Sequence, residues 1–567
     1  MKKKHVLILG AGLMQKPAVE AAHKLGCRVT LIDANPQAVC RTLAEKFEQI
    51  DLKNTEQICD FARSLKKSEG LDAVFTAGTD FSYAVACAAH ECNLSAHTSQ
   101  AAKNASDKVL MRSCFDKAGV PSPHFVQADS SFAAFNQKQA EDFIHKHKLD
   151  FPLVVKPCDN MGARGCRLVR GAESLAEAVK DALRYSRTFR VIIEEYMDGS
   201  EFSIDSLVFD GQLTVTGFAE RHIYFPPYFI EMGHTMPALI DKTDKERLLG
   251  AFWSGVKALG LSCGAAKADI KMTSKGPMIG EIAARLSGGY MSGWTYPYAS
   301  QMNLTEQALL LALGEKTAEL LQRRRLVGGT SDIFDVPCSH CSAERAWISI
   351  PGKIAQTMFF KKAANTENVV NFFPRIQSGQ TAVFPVNNVE KAGNVISRAL
   401  ERNKAIEAAQ TAVQTVFLRL QADSTTGAMS TNAASDGTAV LYGAKDGSGQ
   451  NCKDTHDFLN APLNTLFPPS AFVLPDDVIR KIDSLDENEY TDTVKSVALL
   501  PFLEKYAQLK DWNGKTLQKT LDLYNDLFYK EQGKAVRLSV KKLWHYFIRG
   551  GLQGAVFYTD SKIGEHC

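Results

Sequence analysis

Asp269, Glu281 and Arg285 lie within one stretch, Lys267 to Gly289, that reads as strand, turn, strand and glycine-rich loop. In a strand, alternate side chains share a face. Asp269 and Lys271 therefore fall on one side of the first strand, with Ala268, Ile270 and Met272 on the other. In the second strand Glu281, Ala283 and Arg285 share a face, and Met278, Gly280, Ile282 and Ala284 take the opposite one. With the turn at Thr273 to Pro277 and the hairpin symmetric about Lys275, Asp269 sits across from Glu281. Directly opposed residues have Cβ atoms roughly 4.5–5.5 Å apart, where like charges repel. A cation between the two carboxylates removes that conflict. Oxygen ligands suit Mg²⁺, which completes its shell with water and substrate phosphate; Mn²⁺ is the alternative ion. Arg285, one strand step beyond, has the forked geometry to hold an anionic oxygen. The plain alternative is a surface hairpin with scattered charges.

The rest of the chain must position these groups. At 567 residues it predicts several domains, and its 45% apolar and 23% charged content is ordinary for a soluble globular protein. A net charge of +3 leaves no nucleic-acid footprint and no acidic tail. Thirteen cysteines without repeating spacing fit reduced thiols. Met1-Lys-Lys-Lys followed by Val6 to Met14 imitates a signal peptide, but the apolar run is short, holds two glycines and continues into Gln15-Lys16-Pro17. No run reaches the length of a membrane span. The expected location is the cytoplasm.

His5 to Leu9, Gly10-Ala-Gly12, a helix from about Pro17 and a strand Arg28 to Ile32 ending at Asp33 form a βαβ unit. Dinucleotide binding with Asp33 on a ribose is a weak reading, because the third glycine of that fingerprint falls at Gln15. A further strand, Leu71 to Phe75, leads into Thr76-Ala-Gly-Thr-Asp80 and a helix to about Glu91. Lys108 opens the next helix, which breaks at Gly119-Val-Pro121-Ser-Pro123. Phe151 to Pro157 is a strand containing Lys156, followed by the glycine loop Cys158 to Cys166 and a strand Arg167 to Val169. A glycine loop between strands leaves backbone N–H groups able to fold over phosphate. It is not a P-loop, and the Gly514 to Thr516 tripeptide has Leu509 where that motif needs glycine. Val191 to Met197 is a strand with Glu194 and Glu195 near its end; it turns at Asp198-Gly-Ser200 into Glu201 to Asp205. An adenine ring fits such an edge, bonded to the backbone around Tyr196 and Met197, with Glu201 on the ribose.

The order of these pieces resembles the ATP-grasp family of carboxylate–amine ligases over residues 1 to about 420. The resemblance implies an ATP-grasp fold preceded by a small Rossmann-like α/β domain. It implies Lys108 and Lys156 on the ATP phosphates, with Gly162, Arg164 and Gly165 in a phosphate lid. Glu194, Glu195, Tyr196 and Met197 would lie at adenine, Glu201 on ribose, and Asp269 with Glu281 on Mg²⁺. Many members place an Asn ligand two residues after the last acid; here that position is Ala283, as in the branch related to aminoimidazole ribotide carboxylases. Glu231-x-x-His234 is similar to the L-amino-acid ligase branch, whose corresponding residues surround the acyl-phosphate and the amine. There His234 could take a proton from an ammonium nucleophile that Glu231 binds.

The expected organisation is an α/β domain over 1–107, the nucleotide and catalytic part over 108–325, an α/β lobe over 326–421, a linker over 422–450 and a helical appendage over 451–567. Helical patterns in the appendage run through Asp476 to Leu485, Thr491 to Leu509, Leu517 to Tyr529 and Ser539 to Arg549. Cys338-Ser-His-Cys341 reads as two ordinary thiols, since a structural zinc needs four ligands. The leading expectation is an ATP- and Mg²⁺-dependent ligase that makes an acyl-phosphate of a small carboxylate and joins it to an amine. Arg285, Ser287, Gly288 and Gly289 would hold that intermediate. Its partners would be small molecules, neither nucleic acid nor membrane, and a homo-oligomer is left open. Competing readings are a purine-pathway or carbamoyl-phosphate-type ligase, an NAD-dependent oxidoreductase, and an ATP-binding scaffold.

Overall fold

A computed structural model describes residues 3–422, 454–491, 496–529 and 536–564. The linker expected over 422–450 lies, except for residue 422, outside the described residues. The chain divides into two compact units, the first made of residues 1–222, 233–344 and 398–406, the second of 223–232, 345–397 and 407–567. Among the described residues no helix is long and apolar enough to cross a membrane.

The first unit begins with strands β1 (His5–Leu9), β2 (Arg28–Asp33), β3 (Lys46–Gln49) and β4 (Ala73–Phe75), parallel in the order β3-β2-β1-β4. β1 is buried at every position, as a strand covered on both faces must be. Gln15, where the dinucleotide fingerprint needs glycine, is fully buried and serves a different purpose. Its Oε1 accepts from the Ala77 N–H at 2.9 Å and its Nε2 donates to the Ala77 carbonyl, so it clamps the loop after β4. Asp33 accepts at 2.8 Å from the Ala11 N–H and at 2.8 Å from the Asn35 N–H. That carboxylate is committed to the turn.

A second, antiparallel sheet follows, from β5 (Phe125–Ala128), β6 (Leu153–Pro157), β7 (Arg167–Val169) and β8 (Val191–Glu195), in the order β5-β8-β6-β7. The largest sheet carries β9 (Ser200–Phe209), β10 (Gln212–Tyr224), β11 (Ile230–Met236), β12 (Gly264–Thr273) and β13 (Gly276–Ala283), in the order β13-β12-β9-β10-β11. One face of this sheet is apolar. Phe202, Ile204, Ile270, Ile279 and Ile282 pack there against Leu248, Leu249, Phe252 and Val256 of the helix Lys242–Leu259. Helical spacing sets Leu248, Phe252 and Val256 in one row. Each fully buried side chain of this size contributes about 1.5–3 kcal/mol. The polar residues of the alternating strands are thereby forced to the other face.

In the second unit, strand Gly352–Met358 pairs antiparallel with Phe417–Leu420 and Thr381–Ala382, and Val369–Pro374 pairs with Gly393–Ala399. Helices Asp476–Asp483 and Leu517–Tyr529 form where the periodicity predicts them. Thr491 to Leu509 does not become one α-helix. Thr491 closes a short strand, and the described part after it holds the 3-10 turn Pro501–Tyr506, begun by a proline that lacks the N–H a continuing helix needs. The last helical run extends past Arg549, over Val540–Gly564, with a break at Gly551. Trp544, Tyr546, Phe547, Phe557 and Tyr558 are all buried, core residues as expected.

Candidate active site

The hairpin β12–β13 does bring Asp269 and Glu281 into register, but not by symmetry about Lys275. Thr273 pairs with Gly276, so the turn is the two residues Ser274 and Lys275. That register would set Asp269 against Gly280. A bulge next to Asp269 inserts Gly280 as an extra residue and restores the Asp269–Glu281 pair. It also corrects the expected facing of β13. Ile279 and Ile282 both reach the apolar core, because the bulge shifts the alternation by one residue between them.

Glycine allows a close approach at the bulge. A Cβ there would stand 3.1 Å from the Asp269 carbonyl oxygen and 3.3 Å from Met197 Cε. The displaced Gly280 carbonyl accepts from Arg112 Nη2 at 2.7 Å. Arg112 is fully buried and reaches Glu194 Oε1 at 2.8 Å, while Lys156 Nζ lies 2.6 Å from Glu194 Oε2. Glu194 is thus the common partner of two cations. Burial alone would raise its carboxyl; Arg112 and Lys156 outweigh that and lower it. Lys108 begins the helix Lys108–Ala118, capped by Asp107, whose side chain accepts from the Val109 and Leu110 N–H groups at 3.0 and 3.1 Å. Lys108 Nζ donates to the Asn160 carbonyl at 2.9 Å and stands 3.7 Å from Glu281 Oε2. Arg112 follows Lys108 by one helical turn, so both face the same cleft.

Around the two acids the structure gathers further cations. Asp269 Oδ2 is bonded by Lys267 Nζ and lies 3.1 Å from Arg221 Nη1. Asp269 Oδ1 is buried and has no hydrogen-bond partner among the described residues. Burial would raise the Glu281 carboxyl, but Lys108, Lys267, Arg285 and Lys156 bring it down to about 2. Glu201 binds Arg221 Nη1 and stands 3.5 Å from Lys271 Nζ. Lys271 also donates to the Met197 carbonyl at 3.0 Å and lies 5.2 Å from the centre of the Tyr196 ring. The Tyr196 N–H donates to the Pro152 carbonyl at 3.1 Å and the Glu195 N–H to the His124 carbonyl at 3.0 Å. Glu194, Glu195, Tyr196, Met197 and Glu201 therefore follow one edge of the cleft. In the loop after β6, Arg164 Nη1 donates to the Met161 carbonyl at 3.3 Å, and both Gly162 and Gly165 have positive φ.

Arg285 is 7% exposed, and its Nε has no hydrogen-bond partner among the described residues. Asp80 Oδ1 is 3.8 Å from it, and Nη1 donates to the Leu286 carbonyl at 3.0 Å. Next to it, the Ser287 N–H and Oγ–H donate to Asp205 at 3.0 and 2.6 Å. Gly288 lies against Gly78, and a Cβ on Gly288 would come within 2.8 Å of the Gly78 carbonyl oxygen. The loop of Ser287, Gly288 and Gly289 is thus held by Asp205 on one side and by the Gln15-clamped loop on the other. Burial pushes the Asp205 carboxyl up to about 6, against the Ser287 hydrogen bonds and the charges of Lys267 and Arg285.

His234 Nδ1 lies 2.6 Å from Glu344 Oε2, both buried in the first unit. Met236, two residues on, shares a buried cluster with Ala219 of β10, so alternation sets His234 on the same sheet face as Arg221. Glu231, three positions before His234, is out of phase with it. It belongs to the second unit, where its N–H donates to Asn388 Oδ1 at 2.8 Å and its carbonyl accepts from Lys391 at 2.6 Å.

The sequence reading missed Arg112, Arg221, Lys267, Asp205, Asp80 and Glu344. Arg112 had a readable signal in its spacing from Lys108, and Lys267 in its alternation with Asp269. The others come together only through strand pairing between distant segments.

Lys156, the glycine loop, Glu194, Glu201, Asp269, Glu281 and Arg285 all fall within a segment that matches a known family. The model of the ATP-grasp domain matches residues 149–293. The matched segment is an ATP-grasp domain. An uncharacterised protein, y4rH, of Sinorhizobium fredii is 26% identical over 341 residues, covering 59% of this chain and 69% of that protein. Human carnosine synthase 1 is 24% identical over 369 residues, 60% of this chain but only 43% of the synthase. This chain therefore matches less than half the length of that relative. The crystal structure of an L-amino acid ligase from Bacillus licheniformis superposes with a TM-score of 0.62 at 19% identity, covering 74% of this chain and all of that one. At that identity the likeness is one of fold.

Proposed function

We propose that the chain is an ATP-dependent ligase that activates a small carboxylic acid, an amino acid, as an acyl-phosphate and joins it to an amine with release of ADP and phosphate. The observation that carries this reading is the Asp269–Glu281 pair at the Gly280 bulge, with Asp269 Oδ1 buried and without a hydrogen-bond partner among the described residues. The names of the relatives support amino acids as the substrate class.

The residues fit a divalent ion. The orphaned Asp269 Oδ1 and the ionised Glu281 carboxylate are the hard oxygen donors that Mg²⁺ takes. When bound, the ion would offset charge on the phosphates of ATP. Lys108 and Lys156 bind phosphate oxygens of ATP, and the loop bearing Gly162, Arg164 and Gly165 covers them. The edge from Glu194 to Met197 receives the adenine, and Glu201 the ribose. A carboxylate oxygen of the acid attacks the γ-phosphorus, and ADP leaves. Arg285 and the backbone of Ser287, Gly288 and Gly289 hold the resulting acyl-phosphate and the oxyanion formed as the amine attacks its carbonyl carbon. Phosphate then leaves. Glu344 orients the His234 ring, and His234 is the acceptor for the proton the amine loses. Glu231, out of phase with His234, is given no step.

The test is an ADP-release assay on the full chain with mixed amino acids and amines, with products weighed by mass spectrometry. Release that requires both an acid and an amine, with a product lighter by one water than their sum, supports the reading. ADP release with bicarbonate or aminoimidazole ribotide alone moves the chain to the runner-up ligases. ATP bound without turnover of any substrate makes it a scaffold.

A further inference from the structure

Lys267 stands at the centre of the acidic cluster. On β12 it precedes Asp269 by two residues and so shares its face. Its register partners are Ala283 on β13 and Asp205 on β9. The side chain is almost buried, and its ammonium bonds Asp269 Oδ2. Ala283 opposite offers only a methyl group, so it neither donates an oxygen to a metal nor fills the space the ammonium uses.

Carboxylates that bridge two metal ions give one oxygen to each, and two-metal sites hold their ions about 3.5–4 Å apart. Asp269 cannot do this with the partners it has. Its Oδ2 already faces two cations, Lys267 Nζ and Arg221 Nη1, and Oδ1 has no hydrogen-bond partner among the described residues. A second ion on this carboxylate would have to displace both, leaving a buried lysine among like charges. Resting on the ligase reading above, we propose that the enzyme works with a single divalent ion, and that the Lys267 ammonium takes the position of a second and supplies one positive charge there. Lys267 is then a positioning residue for Asp269 and a fixed counter-charge for phosphate. Unlike an ion, it neither exchanges nor depends on metal supply.

The experiment is a Mn²⁺ titration of the full chain with equimolar AMP-PCP, free Mn²⁺ being read by electron paramagnetic resonance against an analogue-only control. One Mn²⁺ per complex is expected, and two would overturn the proposal while leaving the ligase reading in place. No analogue-dependent Mn²⁺ on the chain would instead sink the ligase reading, and this inference with it. Lys267→Met should tighten Mn²⁺ binding without nucleotide by at least about tenfold, because a like charge next to the ion is removed. A lysine that merely packs the strand would leave that affinity unchanged, which counts against the proposal. The triple variant Lys267→Ala, Arg221→Ala and Ala283→Asn removes both cations from Asp269 Oδ2, adds an oxygen donor and should bind two Mn²⁺. Ala283→Asn alone, with the ammonium retained, should still bind one.

Discussion

Asp269 and Glu281 face each other because Gly280 is bulged out between them, and the displaced Gly280 carbonyl is held by Arg112. One glycine thus sets two acids opposite one another and ties the hairpin to the helix that carries Lys108. Without the bulge the Gly276 register continues, and Glu281 turns toward the apolar core. The bulge separates a charged cleft from a hydrophobic layer that share the same two strands.

The first prediction concerns charge at that pair. Asp269→Asn keeps the shape of the side chain but removes the anion that Lys267 and Arg221 address. ADP release should fall by at least about 100-fold, as expected when a charged group that organises a reaction centre is lost. Circular dichroism should be unchanged. Turnover within about threefold of the parent would remove Asp269 from the centre.

Arg112 carries the second prediction. It is buried against Glu194 and the Gly280 carbonyl, so Arg112→Met leaves Glu194 Oε1 without its ion-pair partner and the Gly280 carbonyl without its donor. Breaking a buried pair from one side costs about 3–5 kcal/mol. Urea denaturation should show that loss, and Arg112→Met with Glu194→Gln should recover part of it. A change below about 1 kcal/mol would mean that the bulge stands without Arg112.

These two cases mark how far the sequence could be read. Alternation along Lys267 to Met272 is strong, and the facing of Asp269, Lys271 and Ile270 followed from it. The Asp269–Glu281 pair was also legible, although through a symmetric hairpin that does not exist. A bulge adds one residue without changing composition, so only Gly280 itself hinted at it. Lys108, Lys156 and the loop between β6 and β7 were readable because each stands at the end of a local element. Asp205, Asp80 and Glu344 were not. Each meets its partner through segments far apart in the chain, and nothing local marks a strand aspartate as the residue that holds Ser287. Gln15 shows the reverse case, where a broken motif had a structural use.

The third prediction follows from His97, a residue outside the cleft. Its Nε2–H donates to the Ala265 carbonyl at 2.9 Å, and its Nδ1 accepts from the Ser262 and Cys263 N–H groups at 3.2 Å each. Burial lowers its pKa to about 4 from the usual 6.5. The folded state thus resists a proton that the unfolded chain accepts. The contribution is complete above pH 6.5 and is lost as pH falls through about 4, amounting to about 3 kcal/mol. Denaturant titrations at several pH values should show stability falling across this window, and His97→Gln should flatten that slope. An equal slope in both proteins would assign the acid sensitivity elsewhere.

The last prediction separates binding from chemistry at Arg285. The guanidinium is buried beside the Ser287 loop, yet Asp80 Oδ1 is 3.8 Å from Nε, beyond hydrogen-bond range, and Nε has no hydrogen-bond partner among the described residues. A buried cation paired this loosely has binding capacity to spare for a substrate anion. The nucleotide contacts proposed above, Lys108 and Lys156, lie on other elements. Arg285→Ala should therefore lower kcat by at least about 1,000-fold while leaving the affinity for ATP within about threefold of the parent. Arg285→Lys, which keeps the charge but not the fork, should recover only part of the loss. Because Asp205 holds the neighbouring loop with a carboxyl near pKa 6, kcat/KM should fall on the acid side of about pH 6. In Asp205→Asn that limb should vanish while ATP affinity stays, since an amide oxygen still accepts one Ser287 hydrogen bond at every pH. Unchanged turnover in Arg285→Ala would take the arginine out of the reaction. An acid limb that survives Asp205→Asn would show that Asp205 does not govern the loop.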